Sequence, residues 1–295
     1  MLHLILQSIT NGILIGSVYG LISVGLTLMF GVMNIVNFAQ GEYLMIGMML
    51  AYLLSTALKL DPLIIAPLVG VLGFLFGMLS ERLVIEPIIK APQSAQIIAT
   101  VGLSLILANG VAVITGNNFL SVTTPYQNET FDIFGLTFSA SFVYAAICAL
   151  IMATLLSLFL NKTRYGKAMR ATSQNRSAVQ LMGINPRWMY MLAFGIGSAL
   201  TMIAGAVILP YTLTYPYIGQ HFILIMFTVV VLGGLGSVRG AIVAGLVVGV
   251  IQSASTLVLP IEIQNLPVFI VFFFALVLIP GGVLKRLQRG RLNHD

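Results

Sequence analysis

NKTRYGKAMRATSQNRSAVQLMGINPR, residues 161–187, lies between two long apolar runs and carries six basic residues, Lys162, Arg164, Lys167, Arg170, Arg176 and Arg187, with no acidic one. Short Lys/Arg-rich connections between spanning segments stay cytoplasmic, so this stretch fixes how the rest of the chain lies in a membrane. Outward from it, apolar runs close to the twenty residues a helix needs to cross a bilayer fall at 4–30, 38–55, 62–82, 94–115, 139–160, 189–210, 221–237, 240–258 and 267–284. They are apolar all round rather than along one stripe, as expected of helices that meet lipid on one face and neighbours on the other. The expected fold is all-α: a polytopic membrane protein of eight or nine transmembrane helices, with Gly-broken segments in two weakly repeated halves, forming one transmembrane domain over residues 1–295.

Composition agrees. The chain is 59% hydrophobic and 7% charged, with a mean hydropathy of +1.04, whereas soluble domains carry roughly 25% charged residues. No soluble domain can be fitted in. The net charge of +6 does not point to nucleic acid, because twelve of the fourteen basic residues sit in connections on one side: the 161–187 segment, Arg82 with Lys90, and the tail 285–295 with Lys285, Arg286, Arg289 and Arg291. The opposite side holds 116–138, with Glu129 and Asp132 and no Lys or Arg, expected as a periplasmic cap with a short hairpin. The N-terminus is then outside and the C-terminus inside. The first thirty residues lack a basic start and stay apolar well past a signal h-region, which makes them a retained span.

Two stretches interrupt the apolar runs. Gly31–Glu42 contains Asn34, Asn37, Gln40 and Glu42, and Gly233–Gly240 contains Gly233, Gly234, Gly236 and Arg239. Non-helical backbone at membrane depth must line water or be buried in protein, and paired interruptions point to a transport route. The four polar residues of the first either line a solute path or cap a turn at the interior surface. Glu42 is the costliest of them if buried, and Arg239 is its one candidate partner. Small residues recur at every fourth position, Gly12, Gly16, Gly20, then Gly73, Gly77, then Ala241, Gly245, Gly249, a pattern that lets helix backbones approach closely.

Within the basic segment, Gln174–Met182 is predicted as a short helix with Ala178, Leu181 and Met182 on one face and Gly183 just past its end. Its apolar side, with Ala168, Ala171 and Ala178, is too small for a lipid-facing helix and suits a groove on another protein. The histidines show no metal-ligand spacing, and no phosphate loop, nucleophile elbow or HExxH is present. No metal, cofactor or catalytic residue is therefore expected, and any ATP is hydrolysed elsewhere.

YGKAMRATSQNRSAVQLMGINP (Tyr165–Pro186), GLTLMFGVMNIVNFAQGEYLMIG (Gly25–Gly47) and VVLGGLGSVRGAIVAGLVVG (Val230–Gly249) together resemble the permease subunit of branched-chain amino acid ABC importers. The resemblance implies a location in the bacterial inner membrane, a second homologous permease, two cytoplasmic ATPases that hold the ATP and Mg, and a periplasmic solute-binding protein. It also implies ATPase docking through Arg164, Gly166, Lys167, Ala168, Arg170, Ala171, Asn175, Ala178, Leu181, Gly183, Ile184 and Asn185. Permeases for urea and short amides share these signatures. The rival from another class is an ion-coupled carrier, which places several ionisable groups within the membrane; this chain offers Glu42.

Overall fold

The computed structural model describes residues 2–278 apart from 134, 261 and 262. The expected basic tail 285–295 and the end of the last apolar run lie outside the described residues. The helices are α1 (Leu2–Met33), α2 (Gln40–Leu58), α3 (Pro62–Ser80), α4 (Glu86–Ile88), α5 (Gln93–Thr115), α6 (Ala140–Lys162), α7 (Arg164–Gln174), α8 (Arg176–Leu181), α9 (Pro186–Ile208), α10 (Ile218–Gly233), α11 (Val238–Ser255) and α12 (Leu266–Leu278). Seven helical stretches, α1, α2, α3 with its continuation to Ile88, α5, α6, α9 and α11, are long and apolar enough to cross a membrane. Of the nine expected apolar runs, those at α10 and α12 form shorter helices. The chain is a multi-pass, all-α membrane protein.

Local chemistry sets the ends. Asp61 caps α3, its carboxylate accepting from Leu63 N at 2.8 Å, with Pro62 next in the chain. α5 stops at Gly116 (φ 68°). Asn185 caps α9 ahead of Pro186, and Ser237 caps α11, accepting from Gly240 N at 3.1 Å. Each cap satisfies a backbone N–H that the helix cannot.

The connections alternate between two ends of the bundle. One end, the basic face, carries α7 and α8; the other, the cap face, carries residues 116–139. There β1 (Thr130–Ile133) pairs antiparallel with β2 (Leu136–Ser139) in the expected hairpin. Tyr126 donates its hydroxyl to Asp61 at 2.8 Å, tying the cap to the α2–α3 corner. Burial first, and then the carboxylate beside it, pushes the Tyr126 phenol above its ordinary range.

α9 and α1 form the centre and are the most buried of the long helices; α5 and α6 lie at the periphery. The small-residue repeat does what its spacing predicts. A Cβ on Gly12 would lie 2.6 Å from Val250 Cα, and one on Gly16 2.7 Å from Leu246 Cα, so α1 and α11 run antiparallel in backbone contact. Gly73 and Gly77 bring α3 onto Met202, Ala199 and Ser198 of α9. Where no hydrophobic effect separates helix from lipid, this close van der Waals packing is what holds helices together.

Candidate functional site

The first interruption folds back into the bundle instead of turning at its surface. α1 ends at Met33, and Asn34 takes a left-handed conformation (φ 57°). The chain then climbs beside the helix it has just left. Asn37 passes Met29 (Nδ2 to Sδ 3.8 Å), and Gln40 reaches the level of Gly25. Gln40 Nε2 donates to Thr201 Oγ1 at 2.5 Å, midway along α9. The start of α2 is therefore deep in the protein.

At that depth the unpaired backbone has to be satisfied internally, and the side chains of the interruption do it. Asn37 Oδ1 accepts from Ala39 N at 3.0 Å. Asn37 Nδ2 donates to Gln40 Oε1 at 3.1 Å, and the Thr201 hydroxyl donates in turn to Gly197 O at 3.0 Å. Asn37, Gln40 and Thr201 are almost fully buried.

Of the four polar residues read from the sequence, Asn37 and Gln40 come together, Glu42 lies two residues further on in the first turn of α2, and Asn34 stands apart, exposed. Glu42 is 1% exposed. Its Oε1 accepts from Ser104 of α5 at 3.1 Å, and its Oε2 has no partner among the described residues. Arg239, the distant but possible partner, does not pair with it among the described residues: Arg239 is exposed in the first turn of α11, near the Gly31–Gly236 contact, whereas α2 begins at the level of Gly25. Thr201 and Ser104 were missed from sequence, because an isolated Ser or Thr in an apolar run most often bonds its own helix.

The second interruption stays at the basic face. α10 ends at Gly233, and Gly234 (φ 90°) and Gly236 (φ 84°) carry the chain through conformations open only to glycine at low cost. Gly236 lies against Gly31 of α1, a Cβ on either meeting the other's Cα at 3.0 Å. The two glycine-bearing breaks touch.

The basic segment lies beside this contact, across a cavity from it. It forms two helices, not the single Gln174–Met182 helix expected: α7 ends at Gln174, and Asn175, extended (φ −152°, ψ 101°), caps α8 by accepting from Ala178 N at 3.0 Å. A capping Asn competes with helix continuation, which is why the helix breaks there. Thr163 caps α7, accepting from Gly166 N at 3.0 Å, and Gly166 is pressed onto Phe159 and Leu160. Met169 is fully buried. A cavity of about 340 Å³ is bounded by Gly31 and Val32 of α1, Gly236 and Arg239 beside the second break, and Met169 and Arg170 of α7. Arg170 Nη1 donates to Asn161 Oδ1 at 2.9 Å.

The docking candidates divide by this geometry. Arg164, Lys167, Arg170, Ala178, Leu181 and Gly183 face outward, with Leu181 91% exposed. Gly183 (φ 78°) ends α8, and Ile184 N returns to Val179 O at 3.2 Å, a terminating motif that suits glycine. Asn175 and Asn185 act as caps, and Gly166 is a packing residue. Ala168 and Ala171 turn partly toward the protein, so they do not extend the exposed face of Ala178 as expected, because the break at Asn175 rotates the two helices apart. At the other end of α1 and α11, a second cavity of about 390 Å³ opens among Asn11, Ile15, Tyr19, Gln252 and Ser253, walled by Tyr211.

The chain is 30% identical to the high-affinity branched-chain amino acid transport system permease protein LivH of Escherichia coli (strain K12), covering 95% of this chain and 96% of that protein. It is equally similar, over the same shares, to the permease protein BraD of Pseudomonas aeruginosa. The fructose import permease protein FrcC of Rhizobium meliloti is 25% identical over 60% of this chain and 50% of its own. No solved structure matches. The model of one permease family matches residues 8–279, and with that the chain belongs to the family of branched-chain amino acid transport system permease components.

Proposed function

We propose that this protein is the membrane-spanning permease subunit of an ATP-driven ABC importer that carries leucine, isoleucine and valine into a bacterial cytoplasm. The observation that carries the coupling mechanism is the basic-face cavity: Met169 and Arg170 of α7 line it together with Gly31 and Gly236, so a shift of α7 changes the space beside both breaks at once. Support for the solute comes from the names of the LivH and BraD relatives, both branched-chain amino acid permeases.

In this reading the basic face is cytoplasmic, with the N-terminus outside and the C-terminus inside. α7 and α8 form the coupling surface, and two separate ATPases hold ATP and Mg²⁺. A second homologous permease completes the membrane unit, and a periplasmic receptor delivers the solute to the cap face. Asn37 and Gln40 brace the first break while Glu42 stands beside the path. ATPase closure shifts α7, the breaks at 34–39 and 234–237 yield, and the path changes the side to which it opens.

The test is uptake by proteoliposomes holding the complete complex. Leucine, isoleucine and valine should accumulate only with ATP at the basic face, and urea should not compete. Uptake driven by an imposed ion gradient without ATP would sink the importer reading; preferred uptake of urea would reassign the solute.

A further inference from the structure

The last part of α3 does not run on regularly. Glu81–Ile85 forms a π-helical turn before α4, a local widening that recurs at functional sites because it re-aims side chains. Here it buries Glu81, which is 2% exposed. Among the described residues its carboxylate has neither an ion-pair nor a hydrogen-bond partner; the one ion pair joins Arg187 Nε to Glu86 at 3.4 Å. The carboxylate borders the adjoining cavity, and so little exposed a charge gains from a partner placed there.

Glu81 lines a partly open cavity of about 200 Å³ at the basic face, shared with Glu86, Lys90, Arg176 and Arg187. Glu86 already holds Arg187. Arg176, the first residue of α8, lies over the Tyr190 ring at 5.2 Å and has no carboxylate of its own. Lys90 is likewise without one among the described residues. Pro87 and Ile89 add an apolar wall. A simple cation entering this space meets Arg176 and Lys90; a simple anion meets Glu81. A molecule with an ammonium and a carboxylate on one carbon satisfies both, and the volume is below the roughly 300 Å³ at which pockets for drug-sized ligands begin.

We propose that this cavity binds one free α-amino acid as its zwitterion, the ammonium on Glu81, the carboxylate between Arg176 and Lys90, and the side chain against Pro87, Ile89 and Tyr190. Such a ligand ties the first turn of α8 to the α3–α5 connection and so restrains the surface that must move with the ATPase. The inference rests on the reading above that the basic face is cytoplasmic: the occupant is then the imported product, and the permease senses its own output.

The experiment uses the complete transporter in proteoliposomes with ATP inside, with the initial rate of receptor-delivered leucine uptake read against the leucine loaded inside. Wild type should slow severalfold as internal leucine enters the millimolar range. Glu81→Gln should start at the wild-type rate in unloaded vesicles and need about tenfold more internal leucine for the same slowing, the size of one lost charge-assisted hydrogen bond. Failure of uptake in unloaded wild-type vesicles would count against the transport reading. Normal uptake that ignores internal leucine, or identical inhibition in Glu81→Gln, overturns this proposal alone.

Thermal unfolding of the permease–ATPase complex without receptor gives a second readout. L-leucine should raise its Tm, and isoamylamine or 4-methylpentanoate, each carrying one of the two charges, should not. Equal stabilisation by either overturns the zwitterion assignment. Should Glu81→Gln fail to assemble, Ile89→Phe fills the cavity from its wall and should abolish the inhibition in its place.

Discussion

Thr201 shows how much a single hydroxyl holds in place. It receives Gln40 Nε2 where α2 begins and donates to Gly197 O on its own helix. Thr201→Val keeps the shape and leaves a buried amide donor unpaired, which costs about 1–3 kcal/mol. The complex should melt lower in detergent, whereas Thr201→Ser, which keeps the hydroxyl that receives the Gln40 amide, should recover much of the loss. A Thr201→Ser variant that melts as low as Thr201→Val would show that the hydrogen bond is not what Thr201 contributes. Gly236 makes a separate case. With φ at 84° and Gly31 in contact, Gly236→Ala strains the backbone by about 1–2 kcal/mol and crowds the junction of the two breaks. The variant complex should purify but transport severalfold more slowly, whereas Gly102→Ala on α5, which meets open space, should match wild type. Asn37 and Gln40 were legible in sequence as polar groups out of place among apolar neighbours. Thr201 was not, because its partner is set by tertiary packing 161 residues away.

At the scale of elements, the α1–α11 pairing rests on shape alone. Gly245 packs onto the backbone of Gly20 and Gly16, where a Cβ would overlap both. Gly245→Leu overpacks the seam, a change that costs about 1–3 kcal/mol in a well-packed core and more where backbone must move. The yield of monodisperse permease on size-exclusion chromatography should fall sharply, and an unchanged yield would mean the seam tolerates separation. α8 behaves in the opposite way. Leu181 is 91% exposed, so Leu181→Asp should leave permease stability within about 0.5 kcal/mol and yet weaken ATPase binding about tenfold, measured by co-purification at graded ATPase concentration. The fourfold glycine repeat announced the seam because spacing is the whole signal. The division of α7 from α8 went unread because Asn175 suits both a helix interior and a cap, and its extended backbone decides between them only in the folded protein.

For the whole molecule, the all-α, multi-pass plan and the order of the apolar runs were readable because bilayer thickness sets a least length for a span, and the basic segment stood out because charge is so scarce elsewhere. Depth was not readable. Hydropathy places the 34–39 break between two runs but cannot say that the chain climbs beside α1 before α2 starts, which depends on Gly25 leaving room for the Gln40 amide. Nor could it show that the breaks meet at Gly31 and Gly236, or that α7 lies across a cavity from that meeting point. One consequence concerns the two cavities at opposite ends of α1 and α11. Cross-braced by glycine along its length, α1 behaves as a stiff beam with a load at each tip. At 32 residues it spans about 48 Å, so tilting it by about 5° at the basic tip sweeps the other through about 4 Å. That travel is wider than a water molecule, so a nudge too slight to unseat α7 can still open or shut a passage at the far rim.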